Sequence, residues 1–184
     1  MRNFLNINAL DRGDVLKLVQ RALALKAGAS PTQTPFTVAN LFFENSTRTH
    51  TSFQMAENKL GYHQIVLDPQ TSSMSKGESL ADTLKTLKAI GIDVAVIRHA
   101  VNDWYVPVLE AAGHPIPQLV NAGDGSGQHP SQSLLDLVTI YEQFGRFDGL
   151  QIRIVGDLLH SRVARSTAEI LHQLGANVTF SGPD

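Results

Sequence analysis

Residues 36–67 read FTVANLFFENSTRTHTSFQMAENKLGYHQIVL, and this stretch decides the fold. Residues 36–43 form a short apolar run with the length and composition of a buried strand. The period then changes. Across residues 47–60 the spacing of Phe53, Ala56 and Leu60 predicts a helix with those three side chains buried, and Gly61 is its stop. Residues 64–67, QIVL, are strand-like again. A strand, a helix and a strand in succession predict a right-handed crossover to a parallel neighbour.

The same alternation extends in both directions. Upstream, Asn8 can cap a helix reaching about Ala27, with Leu16, Val19 and Leu23 on one face and Gly28 at its end. Downstream, residues 79–90 carry Leu80, Leu84 and Leu87 on one stripe, ended by Gly91, and residues 94–97 follow as a strand. A helix around residues 103–112 is expected to be interrupted or kinked by Pro107. Residues 118–121 supply a fourth strand, and residues 129–144 a long helix with Leu134, Val138 and Tyr141 in register. The fold class is therefore α/β, a parallel sheet with helices on both faces. Residues 145–149 mark a boundary. Beyond it lie a strand (152–155), a helix (161–174) and a strand (177–180), the first βαβ unit of a second α/β domain. That piece is too small to build its own core. Two domains are expected, 1–145 and an incomplete 146–184.

Composition narrows the function. Lys and Arg number 15 against 17 Asp and Glu, a net charge of −2, which argues against nucleic acid as the partner. Hydrophobic residues at 42% suffice for a packed core, and no apolar run approaches the roughly 18 residues of a membrane span. The absence of cysteine removes disulfides, thiol nucleophiles and Cys-based zinc sites. The opening Met1-Arg2-Asn3-Phe4-Leu5 lacks the apolar segment of a signal peptide, so a cytoplasmic protein is expected.

Ligands of such sheets gather beyond the carboxyl ends of the strands, so the residues following each strand are the candidates. After the first come Ser46, Thr47, Arg48 and Thr49, leading into a helix. Hydroxyls, a guanidinium and free helix N–H groups suit a phosphate, and this reading outweighs ordinary Ser/Thr capping. After the second, residues 72–78 (SSMSKGE) offer Ser72 and Lys76 to an anion or form a plain exposed linker. Arg98 ends the third strand, where a buried guanidinium needs a ligand or a carboxylate beside it. After the fourth, residues 123–132 (GDGSGQHPSQ) contain glycines but place Gln128 where a G-x-G-x-x-G fingerprint needs glycine. His129 and Gln132 face the same way on a first helical turn. They could hold a carbonyl and an amide, or be a capping His beside an exposed Gln. After the fifth strand, Arg162 suits a substrate carboxylate, whereas Arg165 could pair with an Asp or Glu. No nucleophile–base pair, carboxylate dyad or metal spacing emerges among these residues, and His63, His99, His114, His160 and His172 are read as surface or structural. The pattern suits a small, highly anionic substrate whose developing charge is stabilised.

Phe42-Phe43-Glu44-Asn45-Ser46-Thr47-Arg48-Thr49 resembles the carbamoyl-phosphate signature of the aspartate/ornithine carbamoyltransferase family, and His129-Pro130-x-Gln132 resembles its second motif. Lys76-Gly77-Glu78-Ser79 with Asp82-Thr83, and residues 157–166, are similar to the aspartate branch. The resemblance covers essentially the whole chain. It implies transfer of a carbamoyl group from carbamoyl phosphate to L-aspartate in pyrimidine biosynthesis, without cofactor or metal. Residues 1–145 would be the carbamoyl-phosphate domain and 146–184 the start of the aspartate domain. Ser46, Thr47, Arg48, Thr49 and Arg98 would bind phosphate. Thr49, Arg98 and His129 would polarise the carbamoyl carbonyl, Gln132 would hold its amide, and Arg162 a carboxylate of aspartate. Ser72 and Lys76 would enter a neighbouring subunit's site in a homotrimer, with or without regulatory or dihydroorotase subunits. Two departures stand out: His50 replaces an Arg common in the family, and the chain stops where the aspartate domain would continue. The 184 residues alone are expected to bind carbamoyl phosphate without turnover. The competing readings are a carbamoyltransferase with another acceptor, such as ornithine, and a truncated chain that only binds or assembles.

Overall fold

The structure, a computed structural model, describes residues 3–31, 34–111, 113, 115–156 and 161–182. Its elements in chain order are α1 (Arg12–Lys26), β1 (Thr37–Phe42), α2 (Thr47–Leu60), β2 (His63–Leu67), α3 (Leu80–Ala89) and β3 (Val94–His99). Then come α4 (Tyr105–Ala111), β4 (Gln118–Asp124), α5 (Pro130–Phe144), β5 (Gln151–Val155), α6 (Arg162–Gln173) and β6 (Asn177–Ser181). Short 3-10 turns occupy Ile7–Ala9 and Ser73–Lys76. No helix among the described residues is long and apolar enough to cross a membrane.

Packing divides the chain into two compact units, Met1–Leu5 with Thr32–Gly125, and Asn6–Pro31 with Ser126–Asp184. The first is built on a four-stranded parallel sheet of order β2-β1-β3-β4. Side chains alternate across it. Ala39, Leu41, Ala95, Ile97 and Leu119 meet Leu84 and Leu87 of α3 and Val108 of α4 on one face. Val38, Val96 and Ala122 meet Phe53 of α2 on the other. Helices thus cover both faces, as the strand composition requires of a parallel sheet. The edge strand β2 is less covered, with Ile65 37% and Val66 51% exposed.

The second unit gathers α1, α5, α6 and the parallel β5–β6 pair around Ile7, Val15, Val19, Leu137, Phe147, Ile170, Leu171 and Leu174. Here the structure departs from the single boundary at 145. The apolar stripe of α5 is buried against α1 and α6, so α1 and α5 belong with residues 146–182 in packing terms.

Three local expectations also change. Asn8 does not cap α1: Asp11 does, accepting from the Asp14 N–H at 2.8 Å, while Asn6 caps the preceding 3-10 turn. The Asn8 amide instead donates to Glu169. Pro107 lies in the first turn of α4, where its missing N–H has no helical partner to lose, and the helix runs on past it without interruption. In α2 the buried residue is Glu57, whereas Ala56 is exposed.

Candidate functional site

In the order β2-β1-β3-β4 the chain leaves β1 on one side and returns on the other, so the topological switch lies between β1 and β3. Two of the sequence candidates meet there. Phe42 pairs in register with Arg98, and the Phe43 N–H donates to the Arg98 carbonyl oxygen at 2.9 Å. The segment Glu44 to Thr49 therefore emerges beside Arg98, and that arginine lies within β3 rather than after it.

Ser46 occupies the N-cap of α2 with φ −153° and ψ 83°, yet its hydroxyl makes no capping bond. This differs from Asp11, Ser79 and Ser161, whose side chains each accept from the helix they precede. Ordinary capping is therefore not what the Ser-Thr-Arg-Thr segment does. The first intrahelical bond runs from the His50 N–H to the Ser46 carbonyl at 3.0 Å, which leaves the Thr47, Arg48 and Thr49 N–H groups ahead of the ladder. They form the positive end of the helix dipole. Thr47 and Arg48 are exposed there and Thr49 is half-buried.

Arg98 is 8% exposed. Its Nε lies 3.3 Å from Glu44 Oε2, and its Nη1 donates to the Ala122 carbonyl at 3.3 Å. The carboxylate that a buried arginine requires is thus the one preceding the hydroxyl cluster. Next to Arg98, the His99 ring accepts the Val101 N–H on Nδ1 at 3.0 Å. Burial pushes its pKa down, with the Glu44 charge opposing. Within the phosphate-type segment, the His50 ring stacks on Phe42 with centroids 4.4 Å apart, and its Nε2 is buried without a partner. Ser72 and Lys76 are not tied to this cluster: the Ser72 hydroxyl donates to the Pro69 carbonyl at 3.0 Å, and Lys76 is exposed at the end of a 3-10 turn.

In the second unit His129 is the N-cap of α5, 7% exposed, with Pro130 at the first helical position and no side-chain capping bond. Its Nδ1 lies 3.4 Å from the Ser131 hydroxyl. The Gln132 N–H donates to the His129 carbonyl at 3.0 Å, so both residues belong to one turn. The Gln132 amide donates to Asp136 Oδ1 at 3.0 Å, and no described residue donates to its Oε1. Burial pushes the Asp136 carboxyl above its ordinary range, against the bonds from Gln132 and Thr167. Arg162 opens α6, but its side chain lies outside what the structure describes, as do Asp157, His114 and His160. Sequence reading passed over Asp136 and the role of Glu44. The signals were available: Asp136 is one turn beyond Gln132, and Glu44 is inside the motif. Among the described residues no three His, Cys, Asp or Glu gather as metal ligands.

A family model described as the carbamoyl-P binding domain of aspartate/ornithine carbamoyltransferase matches residues 2–142. The aspartate carbamoyltransferase catalytic subunit of Leuconostoc citreum is 78% identical over 183 residues, covering 100% of this chain and 60% of that protein. The Oenococcus oeni catalytic subunit is 65% identical over 181 residues, covering 98% and 59%. Among solved structures, the aspartate transcarbamoylase of Trypanosoma cruzi in complex with carbamoyl phosphate superposes with a TM-score of 0.82 at 33% identity, over 98% of this chain and 59% of that one. The M. Jannaschii catalytic subunit gives 0.85 at 32%, over 100% and 61%. The chain thus spans about 60% of the length of the curated relatives it matches.

Proposed function

Because the chain belongs to the aspartate/ornithine carbamoyltransferase family, we propose that it is the carbamoyl-phosphate-binding part of an enzyme carbamoylating L-aspartate. The observation that carries the reading is the switch point between β1 and β3, where an uncapped helix N-terminus follows Glu44, the ion-pair partner of the buried Arg98. Ser46, Thr47, Arg48, Thr49 and Arg98 bind the phosphate. Thr49, Arg98 and His129 draw electron density from the carbamoyl carbonyl, Gln132 holds the amide, and Arg162 takes a carboxylate of aspartate. The aspartate amine attacks the carbamoyl carbon, and negative charge moves onto its oxygen in a tetrahedral intermediate. The C–O bond to phosphate then breaks, the amine gives up a proton, and phosphate and N-carbamoyl-L-aspartate leave. Positioning and charge stabilisation drive the reaction, so no covalent enzyme intermediate arises.

Residues 1–145 serve carbamoyl phosphate in this reading, and residues 146–184 begin the aspartate region. Ser72 and Lys76 complete the site of a neighbouring copy in a homotrimer, which explains why their own unit leaves Lys76 exposed. The setting is cytoplasmic pyrimidine biosynthesis, and the names of the similar proteins favour aspartate over ornithine as acceptor. The test is calorimetry with carbamoyl phosphate on the chain and its Arg48→Ala variant, beside an assay for carbamoyl-aspartate. Binding by the unmodified chain without turnover is expected, and binding that survives Arg48→Ala unchanged overturns the phosphate assignment.

A further inference from the structure

Asp136 of α5 sits at the end of a line of hydroxyls that joins α5 to α6. Ser133 Oγ lies 3.0 Å from Ser166 Oγ, Thr167 Oγ1 lies 3.2 Å from Ser133 Oγ, and Thr167 Oγ1 lies 3.3 Å from Asp136 Oδ2. Ser133 and Ser166 are fully buried and Thr167 is 6% exposed. A hydroxyl has one proton to give, and Thr167 has two acceptors within reach. Thr167 is the donor on both sides, and the Asp136 carboxylate is the stronger of its two acceptors. On its other oxygen, Asp136 Oδ1 receives the Gln132 amide at 3.0 Å. An ionised carboxylate only accepts, so it fixes which end of that amide faces it. The NH2 group turns toward Asp136, and Oε1, which no described residue approaches as a donor, is left as an acceptor.

We propose that Asp136 is the positioning residue that makes Gln132 an obligate acceptor, so that position 132 selects an acyl phosphate bearing an N–H group over one bearing a methyl. This deepens the function proposed above and rests on it: the selected group is the carbamoyl amide. Acetyl phosphate is the matching probe, because a methyl replaces the amine and everything else is kept. The experiment measures binding of carbamoyl phosphate and acetyl phosphate to the full chain and to its Asp136→Ala variant. The unmodified chain should prefer carbamoyl phosphate. In the variant, carbamoyl phosphate should weaken about tenfold while acetyl phosphate changes less than about twofold, because one hydrogen bond to the amide is at stake. A merely structural role for Asp136 would weaken both ligands together, and that result overturns the proposal, as does retained discrimination. If the unmodified chain binds neither ligand, the carbamoyl-phosphate reading itself fails. The orientation is tested without any ligand by the NMR signals of the Gln132 side-chain amide, which should be protected from exchange and should lose that protection in Asp136→Ala. An unchanged Gln132 amide overturns the proposal even where ligand binding is absent.

Discussion

Asn40 in β1 and Glu57 in α2 meet between the sheet and the helix that covers it, with Asn40 Nδ2 donating to Glu57 Oε2 at 2.9 Å. The remaining oxygens, Asn40 Oδ1 and Glu57 Oε1, are buried without partners. Burial raises the Glu57 pKa above the ordinary 4.5, with the Asn40 bond opposing. A raised carboxyl pKa gives stability that is present below 4.5 and lost as pH climbs through the folded-state value. Glu57→Gln keeps the shape, cannot ionise and offers an N–H to Asn40. Urea unfolding should therefore show the variant gaining on the unmodified chain as pH rises above 4.5. A constant difference across that range would contradict a buried, titrating Glu57.

Arg98 is predicted to matter more for binding than for folding. In Arg98→Met, Glu44 remains hydrated because its side chain is 32% exposed, so the fold should survive. Carbamoyl phosphate affinity should fall at least about thirtyfold, corresponding to about 2 kcal/mol for a buried charged partner. Calorimetry beside a thermal melt separates the two effects.

Gly125 has φ +35°, and a Cβ there would collide with Asn102 Oδ1 and the Ala100 carbonyl oxygen. Gly149 has φ +71° but open space around it. Gly125→Ala should cost at least about 2 kcal/mol and Gly149→Ala about 1 kcal/mol, because strain and collision add at the first and strain acts alone at the second. Equal losses in denaturant titrations would contradict the collision.

Leu137 is fully buried in the second unit, while Leu135 is 58% exposed on the same helix. Leu137→Ala should cost about 2–5 kcal/mol and Leu135→Ala less than about 0.5 kcal/mol. Trp104, the only tryptophan, is buried in the first unit and reports on it. In Leu137→Ala its fluorescence transition should lag the loss of far-UV circular dichroism. Coincident transitions would show the two units unfolding as one.

Periodicity carried most of the architecture because buried strands and helix stripes write themselves in apolar spacing. Residues 36–43 and 94–97 announced β1 and β3, and with them the position of the switch point. The misread places share a cause: a polar group satisfied by another polar group leaves no apolar trace. Glu57 falls outside the Phe53, Ala56 and Leu60 stripe, and nothing in the local pattern says that Asn40 lies beneath it. Asp136 could be read as a partner of Gln132 one turn away, but not its contact with Thr167, which comes from a different helix. Gly145 does end α5, but a break in periodicity is local, whereas the grouping of α1 with α5 depends on residues far apart in sequence. Within the site, the hydroxyl cluster and Arg98 were legible by type. The uncapped state of Ser46 was not, because capping and anion-binding serines have the same spelling.

The register of the sheet also sets an order in time. Val38 of β1 lies between Gln64 of β2 and Val94 of β3, so the strand that feeds the phosphate segment is completed by a partner made much later in synthesis. During translation the β1–α2–β2 crossover can close early, but its Ser-Thr-Arg-Thr end stays without Arg98 until β3 docks. Anion affinity should therefore appear abruptly along the growing chain, once β3 has left the ribosome, rather than accumulate with length.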